Sequence, residues 1–98
     1  MQPAGMSRDP TRRTEGEQGA HARVLVRLAE TRRRRERAYV AYEAAQEAYW
    51  AAVLESRRGG SEAAVEQASS LARRAIDALW EADADLRRAI DETRPLAP

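Results

Sequence analysis

The 98-residue sequence contains no cysteine, and it also lacks lysine, phenylalanine and asparagine. The absence of cysteine excludes disulfides, thiolate catalysis and cysteine-ligated metal centres. No apolar run approaches the ~20 residues of a membrane-spanning helix. Residues 1–19 also lack the apolar stretch of ~7 to 15 residues that a signal peptide requires. We therefore expect a cytoplasmic protein without a membrane span.

Large side chains are scarce, because aromatic residues make up only 5% of the chain and there are two tryptophans and three tyrosines. The hydrophobic share of 43% consists largely of alanine, which is the strongest helix former. A chain of this length forms at most one domain with a modest buried fraction. The composition therefore predicts abundant helix around a small core.

Charge is distributed unevenly along the chain, although the formal net charge is only +1. Residues 1–37 carry ten arginines and five acidic residues, whereas residues 38–98 carry seven arginines and eleven acidic residues. The two segments thus have net charges of +5 and −4. This asymmetry favours self-association, pairing within the chain, or attraction of an anionic partner.

The N-terminal segment has no apolar periodicity and contains Pro3, Gly5 and Pro10. We expect residues 1–19 to form a disordered arm. Thr14 and Glu17 have the spacing of a helix capping box, but Gly16 and Gly19 would each cost roughly 1 kcal/mol inside a helix. The first helix is therefore predicted to begin near Ala20.

Two long helical patterns follow, over about residues 20–58 and 62–94. Apolar residues recur at helical spacing in both, and the first pattern is interrupted by charged residues between Leu28 and Ala38. Gly59 suits the position after a helix end, and Ser61 can cap the next helix. Arg94-Pro95 ends the second pattern, so that 95–98 form a short tail. The sequence predicts an all-α, antiparallel two-helix hairpin with one helical domain over 20–94.

The short Gly59-Gly60 connection also predicts the register of the hairpin, pairing positions whose residue numbers sum to about 119 or 120. This register places the segment Arg32–Arg37 beside Glu81, Asp83 and Asp85. A lone hairpin leaves much of its apolar surface in water, so we expect a coiled-coil-like four-helix bundle completed by dimerisation or by a partner protein.

Two tryptophans lie to one side of the predicted apolar stripes, where a second chain could cover them. Trp is enriched among the residues that dominate protein interfaces. Together with their neighbours one helical turn away, these residues form the candidate interface: Trp50, Leu54, Ile76 and Trp80. The function predicted first is a non-enzymatic interaction or assembly module that binds itself or another helical protein.

The arginine run supports an alternative function, because clustered guanidinium groups can contact nucleic-acid phosphates. The candidate residues for this nucleic-acid-binding accessory or regulatory role lie within the basic segment Arg23–Arg37 and are Arg32, Arg33, Arg34, Arg35 and Arg37. The carboxylates that the hairpin register places opposite this run favour the interpretation as an ion-paired and solvated helix face instead.

No pattern of catalytic, cofactor-binding or metal-ligating residues emerges from the chain. Glu43 with Glu47, and Glu62 with Glu66, have the four-residue spacing of helical metal ligands, but His21 is the only histidine and lies far from both pairs. No glycine-rich phosphate loop or nucleophile with a histidine base is present. The sequence therefore predicts neither an enzyme nor a cofactor.

Overall fold

The computed structural model describes the backbone of residues 10–94 and the side chains of residues 16–94. It consists of two helices, α1 (Pro10–Arg57) and α2 (Glu62–Thr93), which pack side by side as an antiparallel hairpin. The molecule is a rod of 91 × 17 × 15 Å. The predicted all-α hairpin is thus confirmed, and residues 10–94 contain no strand.

The first helix begins at Pro10, ten residues before the expected start at Ala20. Proline suits the first turn of a helix because its missing N–H would have no partner there. Gly16 and Gly19 lie inside the helix, since about 1 kcal/mol each does not end a helix that continues into strong helix formers. Thr14 is therefore not the cap. The remaining part of the predicted arm, 1–9, and the predicted tail, 95–98, lie outside the described residues.

The turn between the helices forms a Schellman motif, in which Gly59 occupies the predicted position after the helix end. The Gly60 N–H donates to the Glu55 carbonyl at 2.8 Å, and the Gly59 N–H donates to the Ser56 carbonyl at 3.1 Å. Gly59 has a φ of 94°, a left-handed conformation that side chains disfavour. The Ser61 hydroxyl then accepts from the Ala64 N–H at 3.3 Å and caps α2.

The contact between the helices follows a heptad pattern, in which half-buried or buried residues recur at alternating spacings of three and four. We call these positions the seam. On α1 the seam consists of Val24, Leu28, Thr31, Arg35, Ala38, Tyr42, Ala45, Tyr49, Ala52 and Ser56. On α2 it consists of Val65, Ala68, Ala72, Ala75, Leu79, Ala82, Leu86, Ala89 and Thr93. The predicted apolar stripes are present, and Thr31 and Arg35 fill the apparent gap in α1.

Three ion pairs connect the helices and report their register. Arg27 Nη2 lies 3.5 Å from Glu92 Oε1, and Arg34 Nη1 lies 3.7 Å from Asp85 Oδ2. Both pairs have the predicted register, and Arg35–Asp83 at 3.3 Å is one residue from it. Asp83 and Asp85 thus face the arginine run as predicted, whereas Glu81 forms no ion pair with the described residues.

The core of the hairpin is small. Among residues 16–94 only Thr31, Ala82 and Ala89 are buried, and no large side chain is fully enclosed. The Thr31 hydroxyl donates within its own helix to the Arg27 carbonyl at 2.7 Å, so its burial leaves no unsatisfied polar group.

Over residues 10–94, neither helix has a segment that is both long and apolar enough to cross a membrane.

Candidate interaction surface

The predicted interface residues lie in two pairs, one on each helix. Trp50 and Leu54 are one turn apart on α1 and are 59% and 50% exposed. On α2, Trp80 is 69% exposed and Ile76 is half-buried beside the seam. The observed register places Trp80 level with Tyr39, about 16 Å along the axis from Trp50. The two pairs are therefore separate patches on the rod.

Exposed apolar side chains are more numerous than these four residues. Nine large apolar side chains are exposed within 16–94, and six of them lie on α1: Leu25, Val26, Tyr39, Val40, Trp50 and Leu54. Those on α2 are Leu71, Trp80 and Ile90. Packing against α2 thus covers one side of α1 and leaves apolar side chains exposed on its other sides.

The exposed residues of α1 repeat at a fixed interval. Val26, Val40 and Leu54 are separated by fourteen residues, which is two heptads, and therefore occupy one face of the helix. This face points away from α2, and Val26 and Val40 are 56% and 64% exposed. We call it the outer face of α1. Sequence reasoning missed Val26 and Val40 because it sought a single apolar stripe per helix, although the fourteen-residue interval was visible.

Two arginines of the basic run are held by aspartates of α2. Arg35 Nε donates to Asp83 Oδ1 at 3.3 Å, and Arg87 Nη2 lies 3.0 Å from the other carboxylate oxygen of Asp83. The Arg35 guanidinium also lies 5.8 Å from the centre of the Tyr39 ring, within the range of a cation–π contact.

The second aspartate repeats this arrangement. Asp85 pairs with Arg34 across the hairpin and accepts a hydrogen bond from Arg88 on its own helix. Each aspartate thus binds one arginine from each helix. Arg34 and Arg35 are consequently engaged in holding the hairpin together.

The other three arginines of the run, Arg32, Arg33 and Arg37, are exposed and form no ion pair with any carboxylate among residues 16–94. Arg33 and Arg37 border a shallow groove on the outer face of α1. The groove is lined by Arg33, Glu36, Arg37, Val40, Ala41 and Ala44. An apolar floor flanked by free guanidinium groups can bind a surface that carries both apolar and acidic groups.

The candidate metal ligands remain apart on the helix surfaces. Glu43, Glu47, Glu62, Glu66 and His21 are all exposed. Within the described part of the chain, no group of three histidine or acidic side chains converges on a point that could hold a metal ion.

Comparison with known proteins returned no matching family model, curated protein or solved structure.

Proposed function

We propose that this protein is a non-enzymatic assembly module that self-associates, with two hairpins forming a four-helix bundle. One observation carries the proposal: nine large apolar side chains are exposed, while only Thr31, Ala82 and Ala89 are buried among residues 16–94. The two tryptophans contribute the largest apolar surfaces, and their removal from water would favour association.

Energetic considerations support association. Ordering each residue costs about 1–2 kcal/mol of chain entropy, whereas a buried methylene contributes about 0.8 kcal/mol. The buried part of the seam contains mainly alanine, so the helix contact alone removes little apolar area. A second copy that covers Trp50, Leu54, Ile76 and Trp80 would supply the missing burial. Another helical protein is the alternative partner for the same residues.

Sedimentation equilibrium of the full chain at micromolar concentration tests this proposal. We expect a species of about twice the 11.0 kDa chain mass. Replacing Trp50→Ala and Trp80→Ala together should raise the dimer Kd by at least about tenfold, because interface tryptophans are frequent hot spots. Gln67→Ala, at another exposed position of α2, serves as the matched control and should leave Kd within about twofold. A folded monomer under these conditions would refute the proposal.

A second candidate function is nucleic-acid binding, and it is favoured by the exposed, unpaired state of Arg32, Arg33 and Arg37 within the described residues. Arg34 and Arg35 contribute less because they already bind Asp85 and Asp83. Duplex DNA added to the full chain should then bind in a strongly salt-dependent manner. Replacing the three free arginines with glutamine should abolish that binding. Binding that is unchanged between 50 and 200 mM salt would exclude this function.

A further inference from the structure

The outer face of α1 has an internal symmetry centred on Val40. Val26 lies fourteen residues before Val40 and Leu54 lies fourteen residues after it. All three side chains are at least half exposed and occupy the same heptad position. A second, antiparallel copy of this face would place Val26 opposite Leu54 and Val40 opposite itself.

The charged residues of the outer face are also arranged around Val40, with arginines before it and glutamates after it in the sequence. Arg33 and Arg37 precede Val40 by seven and three residues, and Glu47 and Glu43 follow it by the same intervals. All four side chains are exposed. None of them forms an ion pair within residues 16–94. The face therefore carries a basic half and an acidic half whose charges are not neutralised by α2.

We propose that this face is the dimer interface, in which α1 of a second copy binds antiparallel with the two-fold axis at Val40. The inference rests on the self-association proposed above but places the contact on α1 alone, so that it includes Trp50 and Leu54 and leaves Ile76 and Trp80 uncovered. A two-fold interface is self-complementary, so each contact between different residues occurs twice. Arg33 then faces Glu47 of the second copy, because both lie on the centre line of the face with Val40. Arg37 lies level with Glu43 of the second copy but on the opposite flank of the face.

Electrostatics select the antiparallel orientation over the parallel one. In a parallel pair, the basic halves would meet and the acidic halves would meet, and like charges at close range repel. In the antiparallel pair, opposite charges meet on both sides of the axis. Glu36 and Glu43 share one flank of the face, so Glu36 of one copy comes near Glu43 of the other, and the two Arg33–Glu47 pairs must offset this repulsion.

The centre of the face also permits close approach. Ala41 and Ala44 line the groove beside Val40, and such small side chains let two helix backbones come together. Trp50 lies on the flank of the same face, so it would pack at the edge of this interface, near Ala29 of the second copy. Trp80 lies on α2 and would remain outside the contact between the two α1 helices.

The cysteine-free chain allows a direct test by single-cysteine cross-linking. Val40→Cys should form an intermolecular disulfide at least about tenfold faster than Asp77→Cys, because only the former places two cysteines at a two-fold axis within disulfide range. Asp77 is also exposed but lies on α2. Equal rates for the two variants, or faster cross-linking through Asp77→Cys, would overturn the inference.

Charge exchange provides an independent test by sedimentation, with circular dichroism checking that each variant stays helical. The variant with Arg33→Glu and Arg37→Glu has an acidic outer face, and the variant with Glu43→Arg and Glu47→Arg has a basic one. Each should raise the dimer Kd by at least about tenfold, whereas combining all four changes should restore Kd to within about threefold.

The results of these experiments distinguish the antiparallel geometry from self-association in general. A raised dimer Kd in each double variant and a restored Kd in the fourfold variant would support the antiparallel geometry. A dimer that tolerates both double variants but is lost with Trp80→Ala would overturn the geometry and leave self-association intact. A monomer in the unmodified chain would refute both.

Discussion

The half of the hairpin near the turn and the half at its open end are held together by different interactions. Near the turn, the α1 seam contains Tyr42 and Tyr49 alternating with alanines, and α2 contributes Val65 and further alanines. Toward the open end, the seam includes Thr31 and Arg35, and three cross-helix ion pairs lie beside it. The first half thus relies on aromatic packing, whereas the second combines packing of leucine and alanine side chains with ion pairs.

The two halves of the hairpin also differ in how much side-chain burial they contain. The three residues that are buried among 16–94, which are Thr31, Ala82 and Ala89, lie toward the open end, although that half has the more polar seam. Long arginine side chains can lay their aliphatic stems over small residues while the charged group stays in water. Arg35, which binds Asp83, is itself a half-buried residue of the seam. The open-end half thus contains both the ion pairs that align the helices and the buried residues.

The largest expected effect is loss of aromatic packing near the turn. Tyr49→Ala should lower the free energy of unfolding by about 2–3 kcal/mol, less than the 3–5 kcal/mol of a fully buried aromatic residue because Tyr49 is half-buried. Urea denaturation followed by circular dichroism at one fixed chain concentration measures this change. Asp77→Ala, at an exposed position, should stay within about 0.5 kcal/mol. Equal effects of the two changes would contradict aromatic packing as the basis of this half.

An intermediate effect is expected at the turn. Gly59→Ala should destabilise the hairpin by about 1–2 kcal/mol, because alanine is strained at the φ of 94° found here. Gly16→Ala provides a control of opposite sign, since this glycine is inside α1 and an added Cβ would meet no atom within 4 Å. It should stabilise the helix by about 0.5–1 kcal/mol. Thermal unfolding of both variants would distinguish them, and a stabilising Gly59→Ala would contradict the turn geometry.

The smallest expected effect is that of salt on the open end. Exposed ion pairs contribute about 0.2–1 kcal/mol each and are screened as ionic strength rises. Raising NaCl from 50 to 500 mM should therefore speed amide hydrogen exchange about two- to fivefold at the open end and leave the turn half unchanged. Replacing Asp83→Asn and Asp85→Asn together should reduce this salt dependence by more than half, because only the Arg27–Glu92 pair of the three then still connects the helices. A salt response of equal size in both halves would contradict a contribution of ion pairs that is specific to the open end.

Much of the fold was predictable because it depends on local signals. Gly59 and Ser61 mark the boundary between the helices, and the shortness of the link dictates the register that Arg34–Asp85 displays. The start of α1 was predicted less well, because two glycines weaken a helix without determining where it ends. Ala20 consequently lies well inside α1 rather than at its beginning.

The candidate surface was predictable only in part. Trp50, Leu54 and Trp80 are exposed, whereas Ile76 is half-buried beside the seam. Val26 and Val40 were missed because a search for one apolar face does not register a second face on the same helix. Because α2 covers the seam, the exposed Val26 and Val40 belong to a second, separate face of α1.

By itself, the sequence determined the two helices, their connection and their alignment, since helix propensity, heptad spacing and turn chemistry all act over a few neighbouring residues. Only the tertiary structure decided which arginines are bound and which are free. A long side chain selects its carboxylate by the distance across the packed helices, so Arg34 and Arg35 reach aspartates whereas Arg33 and Arg37 point outward. That division leaves the outer face of α1 with charges that a second copy can neutralise.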